Sequence, residues 1–113
     1  MKTIIAGGRD FDDVDLLYFS LLNLPWDISE VVSGGARGAD TLGEVWASSK
    51  DIHYNRFPAN WDKYGKQAGF LRNVSMGEYA DALVAFWDGK SKGTKHMIDE
   101  AVKRGLYIKV FLI

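Results

Sequence analysis

The sequence predicts a single α/β domain of Rossmann-like type, a five-stranded parallel sheet with helices on both faces, spanning residues 1–113. Apolar runs of strand length recur at Thr3–Ala6, Val31–Ser33, Tyr54–Phe57, Ala82–Trp87 and Tyr107–Leu112, each separated by roughly one helix. The stretches between them carry apolar residues at helical spacing. Two of the runs, Ala82–Trp87 and Tyr107–Leu112, are apolar almost throughout, which suits strands covered on both faces.

Taken in chain order, Thr3–Ala6 reads as the first strand. It passes straight into Gly7-Gly8-Arg9, without the longer apolar stretch and small-residue cleavage site of a signal peptide. Val14, Leu17, Tyr18 and Leu21 mark the first helix, and Val31–Ser33 the second strand. Ala39, Leu42, Gly43 and Trp46 mark the second helix, and Tyr54–Phe57 the third strand, with His53 packed at its entrance. Ala68, Leu71, Met76 and Tyr79 give the third helix, Ala82–Trp87 the fourth strand, Met97, Ile98, Ala101 and Val102 the fourth helix, and Tyr107–Leu112 the last strand. Each helix has one apolar face to lay on a sheet. Right-handed crossovers then give a doubly wound layout with strand order 3-2-1-4-5. The winding reverses between strands 1 and 4, where open α/β sheets take their ligand beyond the carboxyl ends.

Composition narrows the function. A hydrophobic fraction of 47% beside 26% charged residues fits a globular protein folded nearly throughout, and no apolar stretch is long enough to span a membrane. The net charge of -1, with basic residues scattered among acids, argues against a protein that lives on the attraction of a nucleic-acid backbone. There is no Cys, and there are only two His residues, His53 and His96, so neither a disulfide nor a metal site is expected, and the setting that fits is cytoplasmic.

Three glycine-rich loops follow strands 1, 2 and 4. They are Gly7-Gly8-Arg9-Asp10, Gly34-Gly35-Ala36-Arg37-Gly38-Ala39-Asp40, and Asp88-Gly89-Lys90-Ser91-Lys92-Gly93-Thr94. Any one of them could be an ordinary tight turn, but all three converge on one crevice. Glycine lets backbone N–H groups approach an anion, and the helix that follows adds partial positive charge. The named fingerprints fit poorly. Ser33–Gly38 is a dinucleotide pattern with Ser33 in place of its first glycine, and Asn55 and Arg56 stand where a ribose-binding acid would be. Gly89-Lys90-Ser91 has Val84 where a Walker A motif needs glycine, and Gly93-Thr94 lacks the lysine. Neither an ordinary NAD enzyme nor an ATPase of that kind is expected, and no cofactor is called for.

Arg72 falls within the apolar stripe of the third helix, and a buried arginine needs an anion from protein or ligand. The structural alternatives are a salt bridge or a snorkelling side chain; the functional one is a clamp on a phosphate. Asn73 beside it could bond a sugar or base. Trp87, and after it Trp61 and Tyr64, could stack on a base, although aromatic residues are more often core. His96 is expected to face solvent, with contact to a ligand phosphate as its alternative. The carboxylates near the crevice are Asp10, Asp40 and Asp88, candidates for acid or base catalysis, with helix-capping or turn roles as their alternatives.

In this order the loops resemble the SLOG superfamily, named for the Smf/DprA and LOG proteins, and within it the small YspA-like branch. The resemblance rests on Ala6–Phe11, Ser33–Asp40, Trp61, Tyr64-Gly65, Ala68-Gly69, Arg72-Asn73 and Gly93-Thr94, and so spans essentially the whole chain. It implies a Rossmann-like sheet and nucleotide or nucleotide-derived ligands. LOG enzymes cleave the N-glycosidic bond of a riboside monophosphate with an arginine and with a glutamate in a P-G-G-x-G-T-x-x-E loop. Arg72 resembles that arginine. The glutamate position holds Met97, Trp87-Asp88-Gly89 replaces Pro-Gly-Gly, and two extra residues precede Gly93-Thr94, so binding carries over better than hydrolysis.

The leading expectation is a domain that binds an ADP-ribose-like ligand, as a sensor or by sequestration. Gly7, Gly8, Arg9, Gly34, Gly35, Ala36, Arg37, Gly38, Asp40, Arg72, Asn73, Trp87, Gly93 and Thr94 form the proposed binding set. The rival is a phosphoribohydrolase or related N-glycosidase using Asp88, Asp40 or Asp10, and a third reading is single-stranded nucleic-acid binding, disfavoured by the near-neutral charge. Tyr79, Trp46 and the apolar C-terminal run are expected to leave a patch for a homodimer.

Overall fold

The computed structural model describes residues 1–113. Strand β1 is Lys2–Gly7, α1 Val14–Leu22, β2 Glu30–Ser33, α2 Ala39–Ser49, β3 Tyr54–Arg56, α3 Trp61–Tyr64, α4 Ala68–Tyr79, β4 Ala82–Trp87, α5 Lys92–Lys103 and β5 Tyr107–Leu112. All neighbouring strands are parallel, in the order β3-β2-β1-β4-β5. This is the Rossmann-like α/β layout expected, with the reversal of winding between β1 and β4.

Alternation along the central strands divides the interior in two. Ile5, Val31, Val84 and Phe86 point to one face, where Leu17 and Leu21 of α1 and Trp46 and Ala47 of α2 cover them. Ile4, Ala6, Val32, Leu83 and Ala85 point to the other, under Met76 of α4 and Met97 and Ala101 of α5. Each large apolar side chain so buried contributes about 1.5–3 kcal/mol. The helix starts follow from local chemistry: the side chain of Asp13 accepts from the Leu16 N–H at α1, and Ser91 caps α5 by accepting from the Thr94 N–H.

The details depart from the sequence reading in several places. Strand β3 stops at Arg56, although the Phe57 N–H still donates to the Ser33 carbonyl at 2.7 Å. Val14, Leu71 and Val102, assigned to inward faces, are exposed; the inner stripe of α4 is Ala68, Asn73, Met76 and Gly77. His53 is exposed rather than packed. Trp46 lies in the core, and the Tyr79 ring sits between Phe57 and the Lys2 ammonium while its hydroxyl donates to Glu30. Neither therefore contributes to an exposed patch. The C-terminal run does, because β5 is an edge strand, leaving Tyr107, Leu112 and Ile113 in solvent. Helix α3 and the 3₁₀ turn Gly65–Gln67 were not foreseen; Asn60 starts α3 by accepting from the Lys63 N–H. No helix is long and apolar enough to cross a membrane.

Candidate functional site

A crevice of about 600 Å³ opens beyond the carboxyl ends of β1 and β4. Its walls include Gly7, Gly8, Arg9 and Asp10 from the first loop, Ala36 and Asp40 from the second, and Asp88, Ser91, Gly93 and Thr94 from the third. Ala6, Phe11, Met76 and Met97 supply apolar surface, and Trp61, Lys66, Phe70, Arg72 and Asn73 close the side formed by α3 and α4. A smaller lobe of about 300 Å³ adjoins it, lined by Arg9, Gly34, Gly35, Ala36, Arg37, Trp61 and Arg72.

The glycines bring backbone to backbone. A Cβ at Gly7 would sit 2.7 Å from the Phe86 carbonyl oxygen and 2.8 Å from the Ala39 Cβ, so the end of β1 could not pass so close to α2 with any side chain there. Gly38, with φ of 82°, presses against the backbone of Gly8 and Arg9, and the Ala39 N–H donates to the Gly8 carbonyl at 3.4 Å. The first two loops are thus one unit. Gly38 provides no side chain to cap α2, leaving that helix end to its backbone N–H groups.

Arg72 is half-buried where α4 meets these loops. One guanidinium nitrogen donates to the Gly34 carbonyl at 2.7 Å and Nε donates to Asn73 Oδ1 at 3.1 Å. Buried Asn73 in turn donates from Nδ2 to the Gly93 carbonyl, at 3.1 Å, and to His96 Nδ1, at 3.2 Å. One side chain therefore ties Arg72 to the start of α5. It also explains His96, which was expected in solvent: the ring is three-quarters covered, against Phe70 and beside Glu100. No carboxylate comes within salt-bridge distance of Arg72 or Arg9. Burial holds Arg72 below the ordinary guanidinium value; Asp40 opposes that effect and the like charge of Arg9 adds to it.

Asp40 lies across Gly34 from Arg72. A Cβ added to Gly34 would be 2.5 Å from the Arg72 guanidinium and 2.7 Å from Asp40 Oδ2. Asp40 is 7% exposed, and its carboxyl is pushed up to about 6, by burial first, against the Ala36 N–H bond and the Arg72 charge that favour the carboxylate. Behind the loop, buried Glu44 accepts from Ser33 Oγ at 2.6 Å and from Arg56 through Nε at 3.1 Å and a terminal nitrogen at 2.5 Å. Ser33 Oγ also accepts from the Gly35 N–H at 3.0 Å, and the Arg56 side chain passes under Gly35. Burial works against the Glu44 charge, but the Arg56 and Ser33 hydrogen bonds together hold its carboxyl below the usual range.

The structure thus brings together most of the sequence-derived set: Gly7, Gly8, Arg9, Ala36, Asp40, Arg72, Asn73, Gly93 and Thr94 on the main crevice, and Gly34, Gly35 and Arg37 on the smaller lobe. Gly38 shapes the loops from beneath. Trp87 does not reach either wall; its indole N–H donates to the Ser91 carbonyl at 3.1 Å, and the aromatic surface comes instead from Phe11, Trp61 and Phe70. Of the three carboxylates, Asp10 is 98% exposed and 3.6 Å from Arg37. Asp88 spends Oδ1 on the Ser91 and Lys90 N–H groups, which hold it below the usual carboxylate range. Only Asp40 is buried against the site. No three His, Cys, Asp or Glu side chains gather to hold a metal ion.

Lys66, Phe70 and Glu44 went unnoticed in the sequence. Glu44 could have been found: it stands one turn after Asp40, in a stripe with Ala39, Gly43 and Ala47, the same misfit of charge and apolar face that singled out Arg72.

The model of the family described as "YspA, cpYpsA-related SLOG family" matches residues 1–64, which contain the first two glycine loops and Trp61. The Gene 61 protein of Mycobacterium phage D29 is 38% identical over 115 residues, covering 93% of this chain and 91% of that protein. No solved structure matches.

Proposed function

Because the chain belongs to the YspA, cpYpsA-related SLOG family, we propose that its crevice binds a nucleotide or nucleotide-derived molecule of ADP-ribose type and that the protein acts as a sensor or by sequestering that ligand. The observation that carries this reading is Arg72, a half-buried guanidinium with no carboxylate at salt-bridge distance, facing the place where the glycine loops meet. Asp40 acts on Arg72 only from beyond that distance, and a ligand phosphate supplies an anion at bonding distance, where charge-assisted hydrogen bonds are the strong kind. The open backbone at Gly8, and at Gly93 where α5 starts, leaves room for phosphate oxygens at backbone N–H groups, the Thr94 N–H being already capped by Ser91 Oγ. The apolar floor and Trp61 suit a sugar and base.

A hydrolytic reading is favoured by one feature, the buried Asp40 carboxyl poised near pH 6 on the crevice wall. In a phosphoribohydrolase, Asp40 would protonate the leaving base or take a proton from water. The Met97 thioether lies where the resemblance to LOG enzymes has its glutamate, and it can do neither. Thermal-shift screening against AMP, ADP, ATP, ADP-ribose, NAD and ribose 5-phosphate, with chromatography of every hit, separates the two. Intact ligand supports binding, free base supports hydrolysis, and no shift from any phosphate-bearing compound contradicts both.

A homodimer formed through edge strand β5 belongs to the same proposal, supported by the apolar run Tyr107 to Ile113. Sedimentation should then show a concentration-dependent dimer in the native protein and a monomer in Leu112→Lys; a native monomer throughout would rule it out.

A further inference from the structure

The smaller lobe has a composition of its own. Of its seven wall residues, three are arginines, Arg9, Arg37 and Arg72, and three are glycine or alanine, Gly34, Gly35 and Ala36. Its surface is more polar than apolar, the reverse of the main crevice, and its remaining wall, Trp61, is shared with that crevice. Arg9, Ala36, Trp61 and Arg72 border both spaces, so the lobe and the crevice are immediate neighbours.

The charges in the lobe are poorly balanced from within the chain. Arg9 makes no salt bridge and acts on Arg72 as a like charge. Arg72 donates only to neutral acceptors, the Gly34 carbonyl and Asn73 Oδ1, and its one acidic neighbour, Asp40, acts on it from beyond salt-bridge distance. Arg37 has one acidic neighbour, Asp10, at 3.6 Å, and both side chains stand in solvent, where a pair of this kind is loosely held. Cations brought together on a glycine-lined hollow call for more negative charge than one phosphate at Gly93-Thr94 would bring, and that helix start opens on the main crevice, not on the lobe.

We infer that the site takes a nucleotide with at least two phosphate groups, one at the Gly7-Gly8 and Gly93-Thr94 loops and a second in the lobe between Arg9, Arg37 and Arg72. This deepens the proposed function and rests on it. Arg37 is the selectivity residue: it lies only on the lobe, and its exposed side chain can change without disturbing the core. On binding, the second phosphate takes the place of Asp10 at Arg37.

Titration calorimetry of the whole protein with AMP and ADP, repeated with the guanosine, cytidine and uridine pairs so that base preference does not enter, provides the test. The diphosphate of the preferred base is expected to bind about tenfold tighter than the monophosphate or better. In Arg37→Gln the ratio of the two affinities should fall at least about fivefold, and raising the salt should shrink it in the native protein. A monophosphate that binds as tightly as its diphosphate, or a ratio unaltered in Arg37→Gln, overturns the inference while leaving nucleotide binding intact. If no mono- or diphosphate binds, the inference falls; if ADP-ribose and NAD fail as well, the proposed function falls with it.

Discussion

Asp40 carries two opposed demands. Its position beside Arg72 favours the carboxylate, yet burial outweighs that and lifts the carboxyl from 3.8 to about 6. The folded chain therefore holds this proton more tightly than the unfolded chain does. Through Asp40 alone, stability is greatest below about pH 4 and declines as the pH rises to about 6, a difference on the order of 3 kcal/mol. Asp40→Asn should consequently be more stable than the native protein at pH 8, by about 1–3 kcal/mol, with the gap closing toward pH 4 in urea or thermal melts. A variant less stable at pH 8 would mean that the charge of Asp40 is needed to hold Arg72. Stabilisation together with weakened ligand binding would fit a residue kept for function at the expense of stability.

At the scale of the elements, the second glycine loop is held from behind by α2 and β3 through Glu44, Ser33 and Arg56. The Glu44 carboxyl is held low, so its contribution is present at neutral pH and is lost as the pH falls through its folded-state value, the reverse of Asp40. Glu44→Ala should cost about 1–3 kcal/mol at pH 7, a figure kept modest because Arg56 is half exposed. Chemical denaturation at pH 7 reads this cost, and weaker ligand binding by Gly35→Ala and Glu44→Ala alike would place the effect in the loop. An unchanged midpoint for Glu44→Ala would show that the network adds nothing.

The same elements mark what could be read beforehand. All five strands and their order were legible because near-continuous apolar runs and right-handed crossovers leave few layouts open. The convergence of the three loops was legible because glycine runs mark strand-to-helix turns and the expected strand order sets all three on one edge of the sheet. That Trp87 lines neither wall was not legible, because periodicity does not reveal where an indole N–H finds its acceptor, here the Ser91 carbonyl. Asn73 and His96 were harder still, since their roles come from contacts between α4 and α5 that are distant in sequence. The short helix α3 escaped notice because four residues carry too little pattern, although its Asn60 cap is a usable signal.

Across the whole molecule, one sheet face is packed by α1 and α2 and the other by α4 and α5, and the site lies where the two halves part. Arg72 is anchored in one half and reaches the other, bonding the Gly34 carbonyl after β2 while Asn73 beside it holds the start of α5. Under the proposed function, a ligand at this point would touch loops from both halves and stabilise them together. The measurement that bears most directly on this account is the affinity of Arg72→Ala, beside the native protein, for the nucleotide giving the largest thermal shift. Binding should fall about tenfold or more, as expected for a lost charge-assisted hydrogen bond, while the variant still unfolds cooperatively. Equal affinity in the two proteins would contradict the central claim that Arg72 clamps the ligand.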